Sequence, residues 1–177
     1  MRANAILIAV VALAGPAFGA SEAGQRLSPH ETTVGAVDGA ELTITYGRPY
    51  MRGRKIMGAL VPYDEVWTPG ADEATTLATS KTVRIGEVIV PAGEYSMWIL
   101  PTADEWSLFL NKQSNLFHTA RRNTRDDLGR IRLQKRLLDD PIEQLTFRVE
   151  QNQSGGGGVL KMLWERTEVS APVAVVE

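Results

Sequence analysis

The chain has no cysteine, which excludes disulfide bonds, a thiol nucleophile and lipid attachment at a cysteine. Histidine is scarce: His30 and His118 are the only two, far apart, and no short-spaced set of nitrogen or sulfur ligands typical of structural zinc is present. No serine stands in the Gly-x-Ser-x-Gly pattern of a hydrolase nucleophile. These absences lead us to predict no metal site, no cofactor and no catalytic residue.

The chain also lacks a large excess of either positive or negative charge. The 19 Lys and Arg residues are set against 21 Asp and Glu residues, which leaves a formal net charge of −2. A general nucleic-acid or membrane-surface binder would need a large cationic excess. We therefore predict no nucleic-acid partner, and any cationic surface must be local.

Long apolar runs are absent except for one at the N-terminus, residues 5–13. Arg2 is the only charge before it, and Gly15 and Pro16 end it. A cationic start, a short apolar middle and a small-residue end are typical of a secretory signal peptide. A retained membrane anchor is the weaker alternative, because spanning a bilayer takes roughly 20 apolar residues.

This pattern predicts the domain organisation. Residues 1–20 form the signal peptide, cleaved after Gly19 or Ala20, and residues 21–27 form a flexible lead. Residues 28–176 are long enough for one well-buried β domain and short for two. The expected location is periplasmic or secreted, with no transmembrane segment after processing.

The remainder of the chain predicts an all-β fold, an antiparallel β-sandwich or jelly-roll-like arrangement of about ten strands. Leu42, Ile44 and Tyr46 alternate with threonines at the period of a half-buried strand. Trp98 and Phe147 are predicted to be buried. Strands are expected at residues 32–37, 42–46, 75–79, 83–85, 88–90, 94–100, 106–110, 131–133, 145–149, 159–164 and 169–175, with a short helix or long loop at 115–127 and a glycine-rich hairpin loop at 155–158.

What the chain does have is a cationic run, residues 46–55, in which four cations are broken by two glycines and a proline. Such a stretch cannot build a hydrophobic core, and ordered cationic loops are commonly used for binding. The planar guanidinium group of arginine matches the geometry of carboxylate or phosphate groups, and nearby aromatic rings can stack on sugars. The predicted ligand-binding residues are Arg48, Tyr50, Arg52, Arg54, Lys55, Tyr63 and Trp67.

These residues favour a noncatalytic binding module for a small anionic or carbohydrate-like ligand on the face formed by residues 48–67. The opposing interpretation is an ion-pair clamp, in which the cations neutralise nearby acids and only hold loops in place. The acids in question are Asp64, Glu65, Asp72 and Glu73.

Two other functions stay open. A hydrolase-like enzyme would use His30 with Glu31, Asp72 or Glu73, and would require His30 and a carboxylate to meet in one cleft. The same residues would have to converge, with His118, for any metal role. A structural envelope protein would show fully neutralised cations and no cleft.

Several motifs carry a family resemblance. Ser-Pro-His-Glu-Thr-Thr at residues 28–33 and Trp-Thr-Pro-Gly-Ala-Asp-Glu at 67–73 occur in order with the cationic run and the segments 90–95 and 106–112. Together they resemble a bacterial family known as domain of unknown function 2911, over most of the mature chain. The resemblance implies an exported or envelope-associated protein, and it brings no established activity, substrate or catalytic residue.

Overall fold

The structure is a computed structural model that describes residues 27–176. The predicted signal peptide, its cleavage site and the lead up to residue 26 lie outside the described residues. Residues 27–176 contain no helical segment that could span a bilayer. The strands are β1 (His30–Val37), β2 (Ala40–Gly47), β3 (Thr76–Thr79), β4 (Val83–Ile85), β5 (Val88–Val90), β6 (Gly93–Pro101), β7 (Trp106–Asn111), β8 (Asp127–Gln151) and β9 (Gly158–Val175), with a short 3-10 helix at Thr124–Asp126.

The all-β prediction is confirmed. The nine strands of the described chain form one antiparallel sheet in the order β1-β2-β3-β6-β7-β8-β9-β4-β5. The sheet folds back on itself in the manner of a sandwich, which brings β1 against β8 although the two are not paired. Tyr46 on β2 accepts a hydrogen bond through its hydroxyl from the Phe147 backbone N–H on β8, at 3.2 Å. Their rings meet edge to face with centroids 4.9 Å apart.

Two pairs of predicted strands are single long strands. Residues 131–133 and 145–149 both belong to β8, and residues 159–164 and 169–175 both belong to β9. The pairing register between β8 and β9 shifts twice, between Leu137 and Thr146. A bulge bends a strand without ending it. The charged and turn-forming residues of this region are typical of a loop, and for this reason the sequence pattern predicted two strands where the structure has one.

The core confirms the burial predictions. Alternate residues of β2 are buried, in agreement with its sequence period. Phe147 is 2% exposed and lies in the main core, whereas Trp98 is 4% exposed. Trp98 lies outside that core cluster. Its indole N–H donates to Ser96 at 2.9 Å, and the Arg122 guanidinium lies over its ring at 6.0 Å. Burial on both faces is the reason why β6 lacks an alternating pattern.

The segment at 115–127 is a loop that ends in the 3-10 helix, as the prediction of a short helix or long loop allowed. Asn123 caps that helix by accepting a hydrogen bond from the Arg125 N–H. Earlier in the loop, the Leu116 carbonyl accepts from the Ala74 N–H at 2.8 Å. The loop therefore packs along residues 72–74, which carry the candidate site.

The long connection between β2 and β3, residues 48–75, is held to the sheet by backbone hydrogen bonds. Met51 N–H donates to the Glu143 carbonyl at 2.8 Å, and Leu145 N–H donates to the Pro49 carbonyl at 3.1 Å. Farther along, Trp67 exchanges two backbone hydrogen bonds with Ile99 on β6. The connection that carries the cationic run is thus held to the sheet both within the run and beyond it.

Candidate functional site

A cavity of about 460 Å³ opens beside the cationic run. Four of the seven predicted residues line it: Tyr50, Arg52, Arg54 and Trp67. Asp72 and His118 also line it, although the sequence prediction placed neither in the binding set. The cavity therefore has cations, aromatic rings and one carboxylate in its wall.

The two cavity arginines are held by backbone carbonyls. The Arg52 guanidinium donates to the Leu27 carbonyl at 3.0 Å. Arg54 donates through Nε to the Met51 carbonyl at 2.9 Å and through Nη2 to the Tyr50 carbonyl at 2.7 Å. Within residues 27–176 neither guanidinium forms an ion pair with a carboxylate. Because a guanidinium has five N–H donors, both side chains keep donors and their full charge for a ligand.

The aromatic wall is less exposed than the sequence suggests. Trp67 is half-buried, and its ring stacks on that of Trp164 with centroids 6.1 Å apart and planes at 19°. One ring face is therefore covered. Tyr50 is half-buried, with the Arg52 guanidinium 5.9 Å from its ring centroid. Trp67 serves as an apolar wall of the cavity and not as a fully exposed stacking platform.

The other three predicted residues lie outside the cavity lining. Arg48 bonds Glu31 at 2.6 Å and also donates to the Leu145 carbonyl at 3.0 Å, which ties β1 to β8. Tyr63 has the Lys135 ammonium 5.9 Å from its ring centroid. Lys55 is exposed on the cationic run but does not line the cavity.

The ion pairs that the clamp interpretation requires are not formed among the described residues. In the described part of the chain, none of the four cations in the run pairs with Asp64, Glu65, Asp72 or Glu73. Among the residues that the structure describes, Arg48 alone of these four cations has a carboxylate partner, which is Glu31.

A second group of residues converges beside the cavity, and we call it the His30 cluster: His30, Asp72 and Glu73. His30 Nε2 lies 3.0 Å from Glu73 Oε2 and 3.5 Å from Asp72 Oδ2. Each residue offers one ligand atom, and the three atoms lie within 4.8 Å of one another. Glu31 is not part of this cluster.

The sequence indicated this convergence only as the requirement of a hydrolase-like alternative, because adjacent residues on a strand point to opposite faces. Asp72 is not in strand conformation: its φ is +66°, in the left-handed region. That turn lets Asp72 and its neighbour Glu73 both reach His30. Asp and Asn adopt left-handed backbone more often than most residues do. The aspartate in the sequence Gly-Ala-Asp-Glu is therefore the signal that could have indicated this turn.

The His30 cluster contributes residues to two cavities. Asp72 lines the cavity already described, whereas His30 and Glu73 line a neighbouring one of about 280 Å³ that also includes Glu94. His118 supports the cluster from the side. Its backbone N–H and its ring Nδ1 both lie within hydrogen-bond distance of the Asp72 carbonyl, at 2.9 and 2.6 Å.

Comparison with known proteins bears on the family alone. No match was found among curated proteins or among solved structures. The pattern of one protein family matches residues 28–173, nearly the whole described domain. The resemblance seen in the motifs is confirmed: the chain belongs to the family described as "Protein of unknown function (DUF2911)".

Proposed function

We propose that the protein is a noncatalytic binding module that takes a small anionic ligand with carbohydrate-like character in the cavity beside the cationic run. The observation that carries the proposal is the pair Arg52 and Arg54, whose guanidinium groups are oriented by backbone carbonyls without carboxylate partners in the described residues. A cavity of about 460 Å³ lies within the range of small-molecule sites.

The wall chemistry favours an acidic sugar over a simple anion. Arg52 and Arg54 can donate charge-assisted hydrogen bonds to a carboxylate or phosphate of the ligand. Asp72 would repel a simple anion but can accept hydrogen bonds from sugar hydroxyls. Trp67 adds an apolar wall against which a ring can pack.

We also propose that the protein is exported and acts in the periplasm or outside the cell. The signal-peptide pattern of residues 1–20 supports this. The mass of the protein recovered from the extracellular or periplasmic fraction tests it, because cleavage after Gly19 or Ala20 removes a fragment of known mass.

A thermal-shift screen tests the binding proposal. The wild type is melted with acidic sugars, neutral glycans and phosphates, alongside Arg52→Ala and Lys55→Ala. A ligand at 100 times its Kd stabilises by about 2.7 kcal/mol, which raises Tm by about 5–11 °C in a domain of this size. We expect Lys55→Ala to retain the shift, because Lys55 carries the same charge in the same run but does not line the cavity.

Arg52→Ala should lose half of the shift or more. Hydrogen bonds to a charged group contribute about 1.5–3 kcal/mol, so its removal should weaken the affinity by about 10- to 150-fold. If no compound shifts the wild type, and Arg52→Ala alone melts lower, the arginine holds the loop in place and the binding proposal fails.

A hydrolase-like activity is the second candidate function. The supporting observation is the 3.0 Å contact between His30 and Glu73, which line one cavity. A carboxylate can orient an imidazole for general-base catalysis. Turnover of chromogenic glycosides and esters by the wild type, abolished in His30→Gln, would support this function over a noncatalytic module.

A further inference from the structure

We propose that the His30 cluster is a binding site for a divalent transition-metal ion such as Mn²⁺ or Zn²⁺. The ligands are His30 Nε2, one carboxylate oxygen of Asp72 and one of Glu73. This site shares Asp72 with the cavity beside the cationic run, but it uses neither Arg52 nor Arg54 and does not depend on their proposed ligand contacts.

Two of the three separations between ligand atoms, those from His30, fit a coordination sphere. With metal–ligand bonds of about 2.1 Å, neighbouring ligand atoms lie about 3.0 Å apart at a right angle and about 3.4 Å apart at a tetrahedral angle. The observed distances from His30 Nε2 are 3.0 Å to Glu73 and 3.5 Å to Asp72. An ion can therefore enter between these atoms with small side-chain adjustments.

A single proton on His30 cannot bridge both carboxylates. Nε2 carries at most one hydrogen, which can point at only one acceptor. Glu73 at 3.0 Å is within reach of that hydrogen, whereas Asp72 at 3.5 Å is at the limit of a hydrogen bond. A metal ion between them attracts both carboxylates at once, and this attraction outweighs the repulsion between the two carboxylates.

The scaffold holds the three ligands on two supports, the edge strand β1 and the loop at residues 72–73. His30 begins β1 and pairs with Gly47 on β2. The Asp72 carbonyl is held by His118, and Glu73 forms an isolated backbone bridge with Phe117. A site built on a sheet edge and a fixed loop is organised before the ion arrives, which lowers the cost of binding.

The donor set indicates the class of ion. One imidazole with two carboxylates is intermediate between the oxygen-only sets that suit Mg²⁺ or Ca²⁺ and the thiolate sets of structural zinc. Three protein ligands also leave coordination positions for water or for an anionic group of a ligand. The ion therefore belongs to the group that accepts mixed nitrogen and oxygen donors.

The test uses the purified, tag-free protein after treatment with a chelator. Mn²⁺ is titrated while the electron paramagnetic resonance signal of the free ion is followed, and Zn²⁺ is titrated by calorimetry. We expect one equivalent of ion to bind with a Kd below about 100 μM. His30→Gln and Asp72→Asn should each weaken binding at least about 10-fold, the smaller of the losses seen when even supporting residues of metal sites are changed.

The controls are matched to the variants. Asp64→Asn makes the same substitution at another left-handed aspartate, with φ +64°, outside the cluster, and should leave the affinity within about twofold. Arg52→Ala should also retain metal affinity, which separates this proposal from that of the anionic ligand. Asn suits left-handed backbone, so Asp72→Asn remains informative if His30→Gln does not fold.

The proposal is overturned if the wild type binds neither ion below that concentration. It is equally overturned if folded His30→Gln or Asp72→Asn binds as tightly as the wild type, because the ion would then occupy another part of the protein.

Discussion

Replacing Gly47 by alanine forces a new carbon atom into the backbone of the loop that carries Asp72. A Cβ at residue 47 would lie 2.1 Å from the Ala71 carbonyl oxygen and 2.8 Å from its carbonyl carbon. Both contacts are far shorter than van der Waals distance, and backbone atoms cannot rotate away as a side chain can. Either the end of β2 or residues 70–72 must move.

The cost follows from two opposing contributions. Overpacking a well-packed region costs about 1–3 kcal/mol. Exchanging glycine for alanine restricts the unfolded chain and returns about 0.4–1 kcal/mol. The expected net loss for Gly47→Ala is therefore about 1–2 kcal/mol, which lowers Tm by about 2–8 °C for a domain of this size.

The substitution should also damage the His30 cluster, since Gly47 pairs with His30 on one side and touches the neighbour of Asp72 on the other. Urea unfolding followed by the fluorescence of the four tryptophans measures the stability loss. Metal titration measures the loss at the cluster. Gly155→Ala is the control, because its Cβ meets nothing within 4 Å and only its φ of +77° is strained.

Gly155→Ala should lose some stability and retain metal affinity. A Gly47→Ala variant as stable as the wild type would refute the reasoning, because the loop at residues 70–72 would then not lie against β2. A destabilised variant with unchanged metal affinity would support the predicted clash with Ala71 but would contradict the expected damage to the His30 cluster.

Three further outcomes are expected from the packing and the titrating groups. Truncating Phe147 or Trp98 to alanine should cost about 3–5 kcal/mol in urea unfolding, and a loss below about 1 kcal/mol would contradict the burial of that ring. The Gly157 N–H holds the pKa of Asp38 below its ordinary value of 3.8. The ionised Asp38 carboxylate therefore stabilises the fold fully above pH 3.8, and this stabilisation is lost as the pH falls below that value. The Tm difference between wild type and Asp38→Asn should accordingly decrease in acid. Burial raises the pKa of Tyr95 above 10.0. The Tm advantage of the wild type over Tyr95→Phe, measured from pH 8 to 11, should therefore decrease as the pH rises above 10.

Much of the fold was predictable because short strands have local signatures. The alternation of Leu42, Ile44 and Tyr46 placed their side chains on one face, and the structure buries all three. The continuity of β8 was not predictable in the same way. Its bulges between Leu137 and Thr146 preserve the strand while removing the alternation, so a period-based interpretation reads them as a break.

The site was predictable only in part, because charge along the chain does not tell which cation faces a cavity. Arg48 and Arg52 occur in the same run, yet Arg48 bonds Glu31 and Arg52 lines the cavity. That division depends on how the run crosses β8, which is a long-range contact. Likewise, Asp72 and Glu73 act on one histidine only because of a left-handed turn at Asp72.

The two proposed sites share Asp72, and this sharing has a physical consequence. Asp72 lines the cavity with Arg52 and Arg54, where its negative charge opposes an anionic ligand. An ion bound at the His30 cluster would neutralise that charge, so a metal should tighten the binding of an acidic sugar. Linkage then requires the sugar to tighten the binding of the metal by the same factor. Because Asp72 is the residue common to both, Asp72→Asn should reduce this coupling together with the metal affinity, while the arginines are left in place.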